Sequence, residues 1–411
     1  MVENFQDKLK ALGVVKGINL DSKPLKKSTK PIQEILDGEI IRSPYGETFV
    51  AHSAFAAGFT QGAVSLVDEI DFGIIAEWAE LPRLSKSTMR DIVFLDTETT
   101  GLSGGSGTLA FMVGIGYWIE DRFQVTQFFL RDPSEEAVML ENLTKFVASF
   151  PIIATFNGKS FDIPLLNTRH ILNRIPSPFA DKSHLDLLHL ARRIWKNRLP
   201  NRSLAHLETE ILGLKRSKEE VPGWMIPEMY LTYLKTGDAI PMKGIFYHNN
   251  MDIVSLAALL IHLSDLLCRP FSFSEPQSLD IFAIAQLYEK FNRLDEALLL
   301  YEYSQEIGLP DHFQKTTLYQ FANIYRKTDQ WEKAVQVWER AAQNNDIQAY
   351  IELAKFYEHQ RKDNHLALLK TNSALEVLNQ TGCRSYDQKR CFSELLHRKE
   401  RLIQKIEKVR D

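Results

Sequence analysis

The stretch Ile92-Val93-Phe94-Leu95-Asp96-Thr97-Glu98-Thr99-Thr100-Gly101-Leu102 constrains this chain more than any other. Four consecutive apolar residues, led by two β-branched ones, read as a buried strand. The strand runs straight into two acids. Side chains on a strand alternate faces, so Asp96 and Glu98 project from one face about 7 Å apart. Two like charges at the end of a buried strand raise each other's pKa, so something positive belongs between them. A divalent metal is the natural candidate.

At 411 residues the chain exceeds one ordinary core and predicts two or three domains. It is 44% apolar and 25% charged, which is the composition of a globular protein. The net charge of -4 means that any nucleic-acid site must be a local patch. Cys268, Cys383 and Cys391 are odd in number and lack metal-ligand spacing, so free thiols in a reducing compartment are expected and zinc is not. The first ten residues lack an apolar core of signal-peptide type, and no later segment reads as the ~20 apolar residues of a membrane span. The expectation is a cytoplasmic protein without a membrane partner.

Residues 1–89 read as an arm and a small hairpin region. The arm to about Pro31 is polar, with Lys23, Lys26, Lys27 and Lys30 close together. Two short runs flanking Ser43-Pro44-Tyr45-Gly46 predict the hairpin. From residue 90 to 268 the pattern is mixed α/β. Strand-like runs at 92–95, 110–117 and 123–130 are joined by loops too short for crossover helices, so they should be antiparallel neighbours. Ser134 opens a helix with an acidic first turn. A strand at 152–155, a helix after Asp162 and a strand around 184–188 follow. This order predicts an RNase H-like mixed sheet flanked by helices.

From 275 to 411 the pattern is helical only. Ala285 and Tyr288, Ala322 and Tyr325, and Ala354 and Tyr357 repeat one signature at offsets of 37 and 32 residues, each followed by Ala297, Ala334 or Ala367. Small residues let paired helices approach while the aromatic fills the gap, which predicts about three tetratricopeptide-like helix pairs. An irregular helical bundle fits the same residues.

Two further segments carry acids. Phe156-Asn157-Gly158-Lys159-Ser160-Phe161-Asp162 follows an apolar strand, and Asp162 opens a helix, where it also suits an N-cap. Tyr247-His248-Asn249-Asn250-Met251-Asp252 begins another helix, on which His248 and Asp252 at i, i+4 share a face. Together Asp96, Glu98, Asp162 and Asp252 resemble the motifs of the DEDD, or DnaQ-like, exonuclease superfamily over residues 91–267. The Asn-x-x-x-Phe-Asp segment resembles the proofreading domains of family B polymerases. The stretch from Gly101 to Thr108, with 157–162 and the helical tail, looks like the bacterial YprB-type RNase H-like proteins.

The resemblance implies a 3′→5′ exonuclease on single-stranded DNA or RNA using two Mg²⁺ or Mn²⁺ ions. It makes Asp96 a bridge between the ions, Glu98 and Asp252 ligands of the first, and Asp162 a ligand of the second. The superfamily places a His five residues, or a Tyr four residues, before the last Asp; here His248 is four before and Tyr247 five before. A histidine can accept a proton near neutral pH, so His248 is favoured as the general base over Tyr247. Substrate grip falls to Thr99, Gly101 and Leu102, to Asn157 and Lys159, and to the run Arg192, Arg193, Trp195, Lys196, Arg198 and Arg202. A solvated helix face explains that run equally well. Two rival readings stay open, an endonuclease of the same fold and a non-catalytic scaffold that binds nucleic acid and recruits a protein through its repeats.

Overall fold

The computed structural model describes residues 30–43, 46–56, 58–101, 107–215, 221–381 and 385–408. The lysine-rich arm up to residue 29, Leu102 with the following glycine-rich stretch to 106, and Cys383 lie outside the described residues. The chain divides into two compact units, Met1–Ser272 and Phe273–Asp411, which is where the sequence changes character near Pro270.

The first unit is built on a seven-stranded sheet. Its strands are β1 (Gly38–Ser43), β2 (Gly46–Phe55), β5 (Ile92–Thr99), β6 (Ala110–Ile119), β7 (Arg122–Phe129), β8 (Ile152–Thr155) and β9 (Ser183–Asp186); β3 (Thr60–Gln61) and β4 (Val64–Ser65) form a separate small ladder. The spatial order is β1-β2-β7-β6-β5-β8-β9. As the short loops required, β5, β6 and β7 are antiparallel neighbours. The crossover segments then bring β8 and β9 in parallel to β5. The hairpin β1–β2 is not a separate region: β2 pairs with β7 from Phe49↔Phe129 to Phe55↔Phe123 and extends the same sheet.

The helices of this unit are α1 (Gly73–Ala79), α2 (Glu136–Val147), α3 (Asp162–Leu172), α4 (Leu187–Trp195), α5 (Leu204–Glu210), α6 (Ile226–Thr236) and α7 (Met242–Cys268). The start of α2 differs from expectation. Asp132, not Ser134, supplies the capping oxygen, accepting the Ser134 N–H at 2.9 Å ahead of a 3-10 turn at Pro133–Glu135.

By length and its mean hydropathy of 1.8, α7 matches a membrane span, which corrects the expectation that no segment does. Its apolar surface is spent inside the fold. The helix packs on β5, β6 and β7, and residues such as Ile253, Leu256, Leu260 and Leu267 are buried. A helix apolar on all sides is what a core position demands. It lies flush because β6 carries glycines where it crosses. A Cβ on Gly114 would stand 2.1 Å from Asn249 Oδ1, and one on Gly116 would stand 2.4 Å from Ile253 Cγ2.

In the second unit, the described residues form α8 (Ser278–Lys290), α9 (Leu294–Ile307), α10 (Asp311–Lys327), α11 (Trp331–Gln343), α12 (Ile347–His359), α13 (Asn364–Thr381) and α14 (Tyr386–Glu407). Consecutive helices pack on one another in chain order. Ala285, Ala297, Ala322, Ala334, Ala354 and Ala367 are all buried at the contacts, while Tyr325 and Tyr357 pack at the edge of a core formed by Trp338, Leu353 and Phe356.

Candidate active site

The pairing of β5 explains why two acids can be held at the end of a buried strand. Its parallel ladder with β8 runs only from Ile92↔Ile152 to Phe94↔Ala154. Antiparallel pairing with β6 continues beyond that point, with Asp96 opposite Gly114 and Glu98 opposite Met112. The strand is therefore held firmly on one side, while Asp96 and Glu98 project beyond the β8 ladder. Both are partly exposed, whereas Thr97 and Thr99 between them are buried, as the pleat requires.

Asp162 arrives from the loop after β8, as the first residue of α3, and is 5% exposed. Thr97 Oγ1 donates a hydrogen bond to its Oδ1. Asp252 arrives on α7 beside His248, whose Nε2 lies 3.6 Å from Asp252 Oδ2. Burial pushes Asp96 well above the usual carboxylate range, with the charges of Asp162 and Asp252 adding to the rise. Burial likewise pushes Glu98 well up, followed by the charges of Asp96 and Asp162. Asp162 is raised by burial and by Asp186, against the Thr97 hydrogen bond that lowers it.

Glu98, Asp162 and Asp252 thus all come within electrostatic reach of Asp96, from three separate chain segments. Their donor set is entirely oxygen, and Asp96 and Glu98 are pressed by neighbouring like charges, so the residues fit a hard divalent cation. Among the described residues, however, no three His, Cys, Asp or Glu side chains are arranged as a ready-made ion cage. Asp162 is turned to Thr97 instead.

His248 and Tyr247 separate. His248 is 8% exposed and faces Asp252, whereas Tyr247, 44% exposed, lines another cavity with His52, Ser53 and Lys243. Successive residues on a helix point about 100° apart, so only one of the two can face the acids.

Two supporting residues, Asn249 and Thr97, were not read from the sequence as such, whereas Asp186, within His184-Leu185-Asp186-Leu187-Leu188, reads there as supporting structure and as a spare acid. Asn249 Nδ2 donates to Asp96 Oδ2 at 2.9 Å, and its Oδ1 accepts from Gln127 Nε2 on β7, also at 2.9 Å. Thr97 holds Asp162. Asp186, the remaining acid of the region, accepts the backbone N–H groups of Asn157 at 2.8 Å, Lys159 at 3.0 Å and Leu188 at 3.1 Å. It is a strut for the loop that delivers Asp162. In that loop Asn157 takes a left-handed φ of 67°, and a Cβ on Gly158 would strike the Thr155 side chain at 2.5 Å. A signal for Asn249 was available in Gly114 and Gly116, since glycine inside a strand often marks close approach of another backbone.

The residues read as substrate contacts are scattered. Arg192 and Lys196 are exposed on and just beyond α4, Arg193 and Arg198 are half-buried, and Lys159 and Asn157 are exposed on their loop. Gly101 lies past the end of β5, and Thr99, buried, donates its hydroxyl to the Gly101 carbonyl at 3.0 Å. Trp195 needs correction. It is 0% exposed, with its ring centroid 6.2 Å from that of His262 on α7, so its indole offers no face to a base.

The fold is RNase H-like, and the family comparison agrees. Residues 93–264 match the RNase_H_2 model, described as RNase_H superfamily. The uncharacterized protein YprB of Bacillus subtilis (strain 168) is 34% identical over 291 residues, covering 69% of each chain. The chain belongs to the YprB family, within the RNase_H superfamily. Among solved structures, the family B DNA polymerase of the hyperthermophilic archaeon Pyrobaculum calidifontis gives a TM-score of 0.34 at 17% identity, covering 52% of this chain and 29% of that one. A likeness that weak carries no argument here.

Proposed function

We propose that this chain is a divalent-metal-dependent nuclease of the DEDD type, acting as a 3′→5′ exonuclease on single-stranded nucleic acid. The observation that carries the reading is the gathering of Asp96, Glu98, Asp162 and Asp252 at the open end of β5, where burial and the charges of neighbouring acids raise the carboxyls of Asp96, Glu98 and Asp162. These four residues would hold Mg²⁺ or Mn²⁺, which when bound neutralises charge on the departing oxygen and activates water. Asn249 fixes the orientation of Asp96 through its bond to Oδ2. His248, held beside Asp252, takes the proton of the attacking water.

Degradation of 3′-end-labelled and 3′-blocked single strands in Mn²⁺ tests this reading. Release of mononucleotides, stopped by the block, is the expected result. Mixed oligomers from blocked strands would replace exonuclease with endonuclease. The rival scaffold reading draws on Asp162, whose carboxylate is engaged by Thr97 rather than turned to a shared ion; a complete lack of cleavage with retained binding would favour it. For the second unit we propose a tetratricopeptide-like module that docks a protein partner, on the strength of its buried alanines and serial helix packing. We place the protein in the cytoplasm.

A further inference from the structure

The loop that ends at Asp162 begins at a cavity. Phe156, Asn157, Leu188, Arg192, Asn201 and Arg202 are among its lining residues, and it encloses about 470 Å³, within the range of small-ligand pockets. Its walls are tied together. The Asp186 carboxylate accepts the N–H of Asn157 on one wall and of Leu188 on the next, which fixes the 156–161 loop against the start of α4. The third wall folds on Arg202, whose Nη1 donates to the carbonyls of Leu199 at 2.7 Å and Pro200 at 3.0 Å, while Asn201 Oδ1 accepts the Ser203 N–H at 2.9 Å. Two walls of the cavity are thus fixed against each other, and the third is bonded within itself.

Its chemistry is two-sided. Among the described residues no acid lines it, and the exposed Arg192 is part of its lining. Arg202 adds a second guanidinium, with a buried Nε that meets no acceptor among the described residues. Against these stand the half-buried ring of Phe156 and the buried Leu188. Guanidinium groups suit a phosphate, and an aromatic face suits a base. Of the basic run, Arg192 and Arg202 line this cavity, and Phe156 offers a ring there that the buried Trp195 does not.

We propose that this cavity is a nucleotide subsite for single-stranded nucleic acid, with a backbone phosphate at Arg192 and Arg202 and a base against Phe156. It rests on the nuclease reading above and adds where the strand is gripped. Because the same loop carries Phe156 at one end and Asp162 at the other, a strand seated here is coupled to the acids.

The test is anisotropy of a fluorescein-labelled oligothymidylate, and of its ribo-uridylate counterpart, on the full chain in EDTA, where metal-dependent cleavage is off. Arg192→Ala should weaken binding about ten-fold and lower the slope of log K against log salt by about 0.7, the value for one lost single-strand phosphate contact. Phe156→Ala should weaken binding about ten-fold with the slope unchanged, as lost stacking does. Phe156→Leu, which keeps apolar bulk, guards against misfolding and should show the same loss. Wild-type affinity and slope in all three variants would overturn the subsite, as would wild type that binds neither strand. The two readings fail separately. Cleavage in Mn²⁺ with unaltered variant binding removes the subsite only; weakened variant binding without wild-type cleavage removes the nuclease only.

Discussion

Asn249 Nδ2 lies 2.9 Å from Asp96 Oδ2, joining α7 to the acid at the open end of β5 across 153 residues of sequence. The other end of the same amide accepts from Gln127 on β7, so one buried side chain is bonded to two strands. Asn249→Leu removes both bonds and leaves the Gln127 amide with only the Phe246 carbonyl and the Met112 sulfur. Stability should fall by ~1–3 kcal/mol in urea unfolding. Turnover in Mn²⁺ should drop further than this loss of stability explains, because Asp96 loses its orienting donor.

Gly114 makes that contact possible. An alanine there would place its Cβ 2.1 Å from Asn249 Oδ1 and 2.2 Å from Ile253 Cδ1, in a packed interior with nowhere to yield. Gly114→Ala should cost ~1–3 kcal/mol, the usual range for overpacking. It should also lower activity at temperatures where circular dichroism still reports a folded protein.

His248 and Tyr247 provide a contrast within one turn of helix. Since His248 faces Asp252 and Tyr247 faces another cavity, His248→Ala should lower kcat at least a hundred-fold with KM nearly unchanged, on the order of a lost general base. Tyr247→Phe should leave kcat within about two-fold. An unchanged kcat in the His248 variant removes that residue from the mechanism.

The second unit carries its own pH signature. Glu358 on α12 is buried and accepts from Arg398 at 2.7 Å, Arg401 at 3.0 Å and Lys405 at 2.8 Å, all on α14. Burial alone would raise its pKa, but the bonds from Arg401 and Lys405 and the charges of Arg401 and Arg398 prevail and hold it at about 2, against an ordinary 4.5. A depressed carboxylate contributes stability that is full above its unfolded value and is lost as pH falls through its folded value. The contribution, ~1–3 kcal/mol after allowing for the half-exposed Arg401 and Lys405, should therefore fade between pH 4.5 and about 2. Thermal melts of wild type and Glu358→Gln should differ at pH 7 and converge near pH 2.

How much of this was legible in the sequence depends on how locally each feature is encoded. The Asp96 and Glu98 pair follows from strand alternation, and the antiparallel β5–β6–β7 order follows from loop lengths; both are local. Trp195 was misread because its basic neighbours drew attention from the apolar spacing of Leu188, Ala191 and Trp195, which places the indole on the buried face of α4. The roles of Asn249, Thr97 and Asp186 depend on partners 153, 65 and 27–29 residues away, and no local pattern pairs them. The hairpin's place in the main sheet is equally non-local, since β2 finds its partner β7 some seventy to eighty residues on.

The central claim is that the acids gathered around Asp96 cleave phosphodiester bonds with the help of a divalent ion. The most direct test compares wild type and Asp96→Ala on a labelled single strand in Mn²⁺, with circular dichroism confirming that both are folded. Degradation by wild type and none above background by the variant is the expected result. Equal rates in the two proteins, or no degradation by either, would contradict it.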